Sequence, residues 1–317
     1  MPHKSQNIRD MFKSDKWLWV LGILLAIVLA VVIRGQKMAP QANRFTEEPT
    51  LSVYFHETGE VKSLPLETYL QGVVAAEMEP TWPLAALEAQ AIVARTFTVK
   101  KLEEGKLPNR DAQASTDPKE FQAYNSEKIN DRVKKAVENT KGQVITHGGR
   151  TIMAWFHASS GGKTASPAEG LNFQGEPTPY VAPVKDVQSD PVQGWSKTFS
   201  NAQISEACAA QGANVGTIST IKVGRRGPSG RAQTLVVNGK EINAPELRLA
   251  IGGTAMRSTL LDEVTLQGDS IVMRGRGYGH GVGMSQWGAW IMAQRGKKAE
   301  DIVGYYYKGV DVQTLWE

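Results

Sequence analysis

The apolar positions of the chain form one long uncharged segment near the N-terminus and many short alternating or helical patterns after it. Residues 17–33 carry no charge, and residues 34–50 are polar and contain Pro40 and Pro49. Alternation at 51–56 and 61–64, on both sides of a polar turn, predicts a β-hairpin. We therefore interpret 34–50 as a linker and 51–317 as one folded region, with a division into two lobes left open.

Helical patterns follow the hairpin at about 66–77 and 83–103. Pro83 suits the first turn of the second helix, with Thr81 near its cap. Residues 106–125 form a long polar segment that predicts a loop. Asn125 or Ser126 is a suitable N-cap for a third helix, which the apolar positions support until Gly142.

The remainder of the chain alternates between hairpin and helix patterns without a βαβ rhythm. The strands are expected at 143–146, 150–158, from 195, at 217–223, at 232–237, and on both sides of 267–269. The helices are expected from an Asn201 cap, at 244–251, up to Ala293, and at about 300–307. This intermixture of helices and β-hairpins predicts an α+β fold.

Residues 17–33 predict an uncleaved transmembrane signal anchor, because seventeen uncharged residues lie at the short end of the transmembrane range. A cleaved signal peptide stays open as an alternative, although no clear cleavage site follows. Positive residues precede the segment, which places residues 1–16 in the cytoplasm and the folded region outside it. The expected location is the cell membrane, with a single pass and an extracytoplasmic domain.

The net charge and the cysteine count exclude several kinds of partner and site. Residues 1–44 hold seven Lys or Arg and two Asp, so the net charge of +4 leaves about −1 for residues 45–317. The folded region therefore has no basic surplus, and we expect no nucleic-acid partner. Cys208 is the single cysteine, which excludes an intramolecular disulfide and any CxxC motif.

Glu77 is the most informative candidate for chemistry. It ends an apolar helical run, where burial disfavours the charged carboxylate and raises its pKa, as a general acid at neutral pH requires. A glutamate near a helix end can also be solvated or ion-paired, and Arg95 is a possible structural partner for Glu77 or Glu88. The position alone leaves both interpretations open.

Two further segments combine glycine with polar residues, at 157–162 and 277–287. Such backbone allows close approach of a bulky ligand, and nearby aromatic residues could stack on sugar rings. The second segment lacks the strand and the acidic residue of a nucleotide-binding loop. His157 and His280 lack a motif of metal ligands, and Ser159 and Ser160 lack a nucleophile elbow.

Together these segments resemble the SpoIID/LytB domain family. Five blocks match in the family's order over most of residues 50–315, which is more specific than any single motif. The matched blocks are Leu66-Glu67-Thr68-Tyr69-Leu70 with Gly72 to Met78, Ala89-Gln90-Ala91 with Ala94-Arg95-Thr96, Phe156-His157 with Ser159-Ser160-Gly161-Gly162 and Thr164, Pro179-Tyr180-Val181, and Gly277 to Ala289.

The resemblance implies a lytic transglycosylase that cleaves between N-acetylmuramic acid and N-acetylglucosamine in peptidoglycan, and Glu77 matches its catalytic glutamate. The C6 hydroxyl of the muramic acid would attack its own C1, which leaves a 1,6-anhydro end. Because the substrate supplies the nucleophile, one carboxyl can suffice where most glycosidases need two. The alternative functions are a non-catalytic glycan-binding activator of a cell-wall amidase and a hydrolysing glycosidase.

The resemblance also implies further residues and partners. Arg95 would orient Glu77 or contact the glycan, and the residues expected to bind substrate or line the cleft are Tyr124, His157, Ser159, Ser160, Tyr180, His280, Ser285 and Gln286. We expect no cofactor and no structural zinc, since residues 106–124 lack the Cys and His ligands of some relatives. The expected setting is the mother-cell membrane facing the septum during engulfment, on peptide-stripped glycan strands, with the sporulation amidase protein P and the membrane protein M.

Overall fold

The computed structural model describes residues 45–108, 110–187 and 194–317. They form an α+β fold with eight helices and several small sheets, which confirms the predicted fold class. The predicted transmembrane anchor at 17–33, like most of the predicted linker, lies outside the described residues. Among the residues that are described, no helix has the length and apolar character needed to cross a membrane.

The helices and strands alternate irregularly along the chain. The helices are α1 (Leu66–Glu77), α2 (Leu84–Glu104), α3 (Asp131–Asn139), α4 (Pro167–Leu171), α5 (Asn201–Ala209), α6 (Ala244–Ile251), α7 (Gln286–Gln294) and α8 (Ala299–Tyr306). The strands are β1 (Thr50–Phe55), β2 (Glu60–Pro65), β3 (Ala114–Ser115), β4 (Gln143–His147), β5 (Arg150–Thr151), β6 (Phe156–His157), β7 (Trp195–Ser200), β8 (Ile221–Val223), β9 (Thr234–Val237), β10 (Lys240–Asn243), β11 (Leu261–Gln267), β12 (Ser270–Gly275), β13 (Met284–Ser285) and β14 (Asp311–Thr314).

Most strands pair as antiparallel neighbours, as the hairpin patterns predict. The described strands form the sheets β2-β1-β3, β10-β9-β8, β11-β12-β7 and β14-β4-β5 and the pair β13-β6. Two short pairings are parallel: β3 with β1, and β13 with β6. The second of these brings the segment that ends at His157 beside the start of α7, and it joins two of the blocks singled out in the sequence.

Two hydrophobic cores organise the described residues. The first core takes its side chains from residues 51–181 and 282–316 and includes the buried faces of α1 and α2. Burial on nearly all sides explains why α2 is apolar around much of its circumference rather than on one stripe. The second core takes its side chains from residues 195–273, the part of the chain that runs from β7 to β12. The predicted division into two lobes stays a prediction.

The start of the third helix was predicted wrongly. The helix begins after Asn130, whose side chain accepts a hydrogen bond from the N–H of Val133 at 2.9 Å. Asn125 instead accepts from the N–H groups of Glu127 and Lys128, in a turn that precedes the helix. Both asparagines act as local caps, and the sequence pattern does not distinguish the turn from the helix start.

Candidate active site

Glu77 is one of the residues that line a cleft with a volume of about 790 Å³. The cleft takes most of its walls from the first half of the chain and from the loop before α7, and Arg248 on α6 is contributed from the region of the second core. Its aromatic lining residues are Phe97, Phe121, Trp155, Phe156, Phe173 and Tyr278, and its polar ones are Glu77, Lys101, Gln122, His157, Arg248, His280 and Gln286. Aromatic faces beside a few polar groups suit a sugar chain.

The carboxyl group of Glu77 is held by neutral donors. Its Oε1 accepts a hydrogen bond from the backbone N–H of Ala123 at 3.0 Å. Its Oε2 lies 3.5 Å from Nε2 of Gln286, which is a long hydrogen bond. No ion pair among the described residues includes Glu77. The predicted partnership with Arg95 is therefore not found.

Burial raises the pKa of Glu77 from 4.5 to about 7, although the hydrogen bonds from Ala123 and Gln286 act in the opposite direction. The side chain is half-buried, with its open side toward the cleft. Glu77 is also the last residue of α1, where the negative end of the helix dipole disfavours a second negative charge. A carboxyl with this pKa can both donate and accept a proton near neutral pH.

Gln286 is the first residue of α7 and links Glu77 to the first core. Its Nε2 lies 3.5 Å from the side-chain oxygen of Gln90, the same distance as from Glu77. The helix start is fixed by Ser285, whose Oγ accepts from the N–H of Gly288 at 3.2 Å. The side-chain amides of Gln90 and Gln286 therefore connect Glu77 to the protein interior without adding a charge.

Two neutral histidines form the wall next to the 277–283 loop. Burial lowers the pKa of His157 to about 3, and burial together with nearby His157 holds the pKa of His280 well below its usual value. The ring centroids lie 5.8 Å apart. Nδ1 of His157 donates to the carbonyl of Val282 at 3.1 Å, so its Nε2 is an unprotonated acceptor. That buried Nε2 has no hydrogen-bond partner among the described residues.

The loop that carries His280 depends on glycines at close contacts. Gly279 has a φ of +104°, and a Cβ there would collide with the side chain of His157. Gly281 has a φ of +84° and packs against the guanidinium of Arg231. Arg231 is fully buried and donates to the carbonyls of Ser160 and Lys163. Its positive charge contributes to the lowered pKa of both histidines.

Arg95 was predicted to orient Glu77 or to contact the glycan, and the structure places it elsewhere. The side chain is fully buried, and its Nη2 lies 2.6 Å from Oε2 of Glu67 at the opposite end of α1. It also donates to the carbonyls of Val137 and Gln143. The signal that marks Arg95 in the sequence, a charge among small apolar residues, reflects this buried ion pair.

The three predicted serines are buried and form hydrogen bonds within the protein. Ser160 donates to Oδ2 of Asp186 at 2.6 Å, and Ser285 caps α7. The backbone of Ser159 exchanges hydrogen bonds with Tyr278, at 2.9 Å in each direction. None of the three belongs to the described residues that line the cleft. They position the two cleft-forming loops rather than face a ligand.

The two predicted tyrosines also lie outside the lining of the cleft. Tyr124 stacks on Tyr69 with the ring centroids 5.8 Å apart, and it covers Gly72. Tyr180 is buried, and its hydroxyl accepts from the N–H of Met153 at 3.0 Å. Of the predicted site residues, the cleft brings together Glu77, His157, His280 and Gln286.

Several lining residues were missed by sequence reasoning. Tyr278 lies in the second glycine-containing segment noted in the sequence, but Phe97, Phe121, Trp155 and Phe173 come from separate elements, and their spacing does not reveal that they converge. Arg248 belongs to no motif in the sequence. Only the structure shows that α6 brings it to the cleft. Within the described ranges, no group of three His, Cys, Asp or Glu side chains is arranged to hold a metal ion.

Comparisons with known proteins identify the family of this chain. A family model described as stage II sporulation protein, SpoIID, matches residues 54–147. The stage II sporulation protein D of Bacillus amyloliquefaciens is 33% identical over 287 residues, which cover 84% of this chain and 81% of that protein. The chain belongs to the SpoIID family. A domain of unknown function, DUF8618, matches residues 185–283, which contain the second core.

Other relatives show how the family varies. The stage II sporulation protein D of Bacillus subtilis is 32% identical over 278 residues, covering 83% of this chain and 78% of that protein. The amidase enhancer of Bacillus subtilis is 29% identical over 299 residues, covering 77% of this chain but 40% of that protein. This SpoIID-family chain is thus similar both to sporulation proteins and to a longer protein with a different name.

Proposed function

We propose that this SpoIID-family protein acts on the bacterial cell wall as a lytic transglycosylase, with Glu77 as its acid and base. The observation that carries the proposal is a single carboxyl, with a pKa of about 7, in a cleft lined by aromatic side chains. The relationship to stage II sporulation proteins supports a role in remodelling the wall during sporulation.

The number of carboxyl groups in the cleft favours a reaction in which a hydroxyl of the substrate is the nucleophile. Glu77 is the one carboxyl among the described residues that line it. Glu79, the nearest acidic residue in sequence, is exposed and lies outside the lining. Most hydrolysing glycosidases need a second carboxylate as nucleophile or base. A glycan whose own hydroxyl is the nucleophile does not, so one group can perform both proton transfers.

The proposed reaction returns Glu77 to its starting state. The protonated carboxyl gives its proton to the glycosidic oxygen as the bond from C1 of N-acetylmuramic acid breaks, and N-acetylglucosamine leaves with a free hydroxyl. The carboxylate then takes the proton of the C6 hydroxyl, whose oxygen bonds to C1 and closes the 1,6-anhydro ring. Atoms and charges balance, and no cofactor enters.

The other polar residues of the cleft would position the sugar. Nε2 of His157 is unprotonated, buried and without a partner among the described residues, so it would accept from a sugar hydroxyl if the ring turned toward the cleft. Gln286 supports Glu77 in both protonation states, since an amide can donate to a carboxylate and accept from a carboxylic acid. The neutral state of both histidines keeps Glu77 free of a nearby imidazolium, which would lower its pKa.

The setting of the reaction forms part of the proposal. The anchor predicted at residues 17–33 would hold the domain outside the mother-cell membrane, facing the septal wall. The substrate would be glycan strands whose stem peptides an amidase has removed, which makes the sporulation amidase protein P and the membrane protein M the expected partners. The similarity to an amidase enhancer supports a link between this family and amidases.

The direct test is the chemistry of the new chain end. The full-length protein, purified in detergent, is incubated with peptide-stripped glycan strands, and the products are treated with borohydride. We expect new ends that borohydride does not reduce, since the anhydro ring has no free aldehyde form. Reducible ends would identify a hydrolase instead and would contradict the single-carboxyl mechanism.

The second candidate is a non-catalytic glycan-binding activator of an amidase, which the 29% identity to an amidase enhancer favours. The two candidates differ in their need for Glu77. An activator would accelerate a purified cell-wall amidase without producing anhydro ends, and the Glu77→Gln variant would retain the acceleration. The proposed transglycosylase would lose its effect on the strands with that substitution.

A further inference from the structure

Arg248 places an uncompensated positive charge in the cleft that contains Glu77. The residue lies on α6, and its guanidinium donates from Nε to the carbonyl of Arg257 at 3.2 Å and from Nη2 to the carbonyl of Gly253 at 3.3 Å. Both partners are neutral. No carboxylate among the described residues forms an ion pair with Arg248.

The second cation of the cleft differs in this respect. Nζ of Lys101 lies 2.7 Å from Oε2 of Glu104, one turn further along α2. Its charge is therefore already paired within its own helix. Burial lowers the pKa of Arg248, which indicates that the guanidinium has lost water without gaining an acidic partner. A desolvated cation in this state is stabilised by an anion that enters the cleft.

The geometry around Arg248 fixes its orientation. A Cβ at Gly253 would come within 2.8 Å of Nη2, so the guanidinium is packed closely against the backbone that holds it. The two carbonyl bonds use Nε and Nη2, and a guanidinium has five N–H donors in all. Donors therefore remain for a ligand in the cleft. A planar fork of donors suits a carboxylate in particular.

We infer that Arg248 binds the lactyl carboxylate of N-acetylmuramic acid and so selects strands whose stem peptides have been removed. This inference rests on the proposed function and deepens it, because it assigns substrate selection in the same cleft to one residue. Removal of a stem peptide converts a neutral amide on the muramic acid into a free carboxylate. The new charge is attached directly to the sugar that Glu77 would cleave.

The test measures binding rather than cleavage, so that it does not depend on turnover. Three probes are titrated into the full-length protein by calorimetry: a peptide-stripped tetrasaccharide of alternating N-acetylglucosamine and N-acetylmuramic acid, the same tetrasaccharide with its lactyl carboxylates converted to amides, and chitotetraose, which lacks lactyl groups. Because the wild type would cleave the stripped tetrasaccharide, all the proteins carry Glu77→Gln; those compared are this reference, the reference with Arg248→Met, and the reference with Arg225→Met as a matched control. Arg225 pairs with Glu241 on the exposed surface.

We expect Arg248→Met to weaken binding of the carboxylate probe by about tenfold, the loss typical of one hydrogen bond to a charged group. Binding of the amide probe and of chitotetraose should stay as in the Glu77→Gln reference, and Arg225→Met should change the binding of none of the three probes. A fourth probe, the tetrasaccharide that retains its stem peptides, carries carboxylates on the peptides but none on the lactyl groups. Stronger binding of this probe than of the stripped tetrasaccharide would overturn the inference.

Other results would also overturn it. Equal weakening of all three probes by Arg248→Met would show a structural role, and a thermal melt of the variant would reveal the same. Unchanged binding of the carboxylate probe by Arg248→Met would show that Arg248 does not contact the lactyl carboxylate. A Glu77→Gln reference that binds no probe would contradict the proposed function itself. If the wild type produces anhydro ends but the reference binds all three probes equally well, this inference alone is wrong.

Discussion

Arg95 and Glu67 form a buried ion pair that joins α1 to α2, with Nη2 and Oε2 2.6 Å apart. The carboxylate of Glu67 also accepts from the N–H of Gly142 at 3.0 Å and from the indole of Trp316 at 3.1 Å. Through these bonds one carboxylate ties the start of α1 to α2, to the turn before β4 and to the C-terminal segment. The pair supports the helix that ends at Glu77.

Substitution of Arg95 should therefore destabilise the fold before it affects chemistry. We expect Arg95→Leu to lower the free energy of unfolding by about 3–5 kcal/mol, because removal of one partner leaves a buried carboxylate without its counter-charge. Urea denaturation followed by circular dichroism measures the change. Arg225→Leu, in an exposed pair, should leave the midpoint where it is. An Arg95→Leu variant that is as stable as the wild type but does not bind glycan would restore Arg95 to the site.

The raised pKa of Glu77 predicts a pH-dependent stability. Its carboxyl ionises at 4.5 in the unfolded chain and at about 7 in the folded one, so the folded state holds the proton more tightly. The resulting stabilisation is complete below pH 4.5 and is lost as the pH rises through about 7. Glu77→Gln, which resembles the protonated acid, should match the wild type at pH 4 and exceed its unfolding free energy by up to about 3 kcal/mol at pH 8.5.

The control for Glu77→Gln is a variant that removes a different carboxyl and leaves the pH-dependent stabilisation by Glu77 intact. Glu79→Gln, at an exposed position two residues further on, should follow the wild type at both pH values. Thermal melts of the three proteins across this pH range provide the measurement. A constant difference between Glu77→Gln and the wild type at all pH values would mean that Glu77 titrates as an ordinary surface carboxyl.

The rate of strand cleavage should fall above about pH 7. The first proton transfer needs the protonated form of Glu77, and that form disappears as the pH passes its pKa. Neither cleft histidine should contribute a limb near pH 6.5, because burial lowers the pKa of both. The profile of kcat/KM against pH, measured for the wild type and for His157→Gln, tests this. Loss of the basic limb in the His157 variant would assign the titration to the imidazole.

Elements with a strong local signal were predictable from the sequence. The hairpin of β1 and β2 follows from its alternation, and α1 from an apolar run that ends at a proline-containing turn. The strand β3 was missed because it consists of two residues in a polar segment, paired in parallel with β1. The start of α3 was misplaced because Asn125 and Asn130 have the same capping chemistry.

The site was predictable only where one residue carries the signal by itself. Glu77 is marked by a carboxyl among apolar neighbours, and the structure places it in the cleft. Arg95 has the same mark, but its partner Glu67 lies on another helix, 28 residues earlier, which no helical spacing reveals. Other residues of the matched blocks, namely Ser159, Ser160, Ser285 and Tyr180, are buried and lie outside the lining of the cleft. A block match does not distinguish such a support from a ligand contact.

The assignment of Glu77 as the acid and base is tested most directly on peptide-stripped strands, with wild type, Glu77→Gln and Glu79→Gln compared by mass spectrometry of the products. We predict 1,6-anhydro ends from the wild type and from Glu79→Gln, and none above background from a folded Glu77→Gln protein. Anhydro ends from Glu77→Gln at the wild-type rate would contradict the assignment.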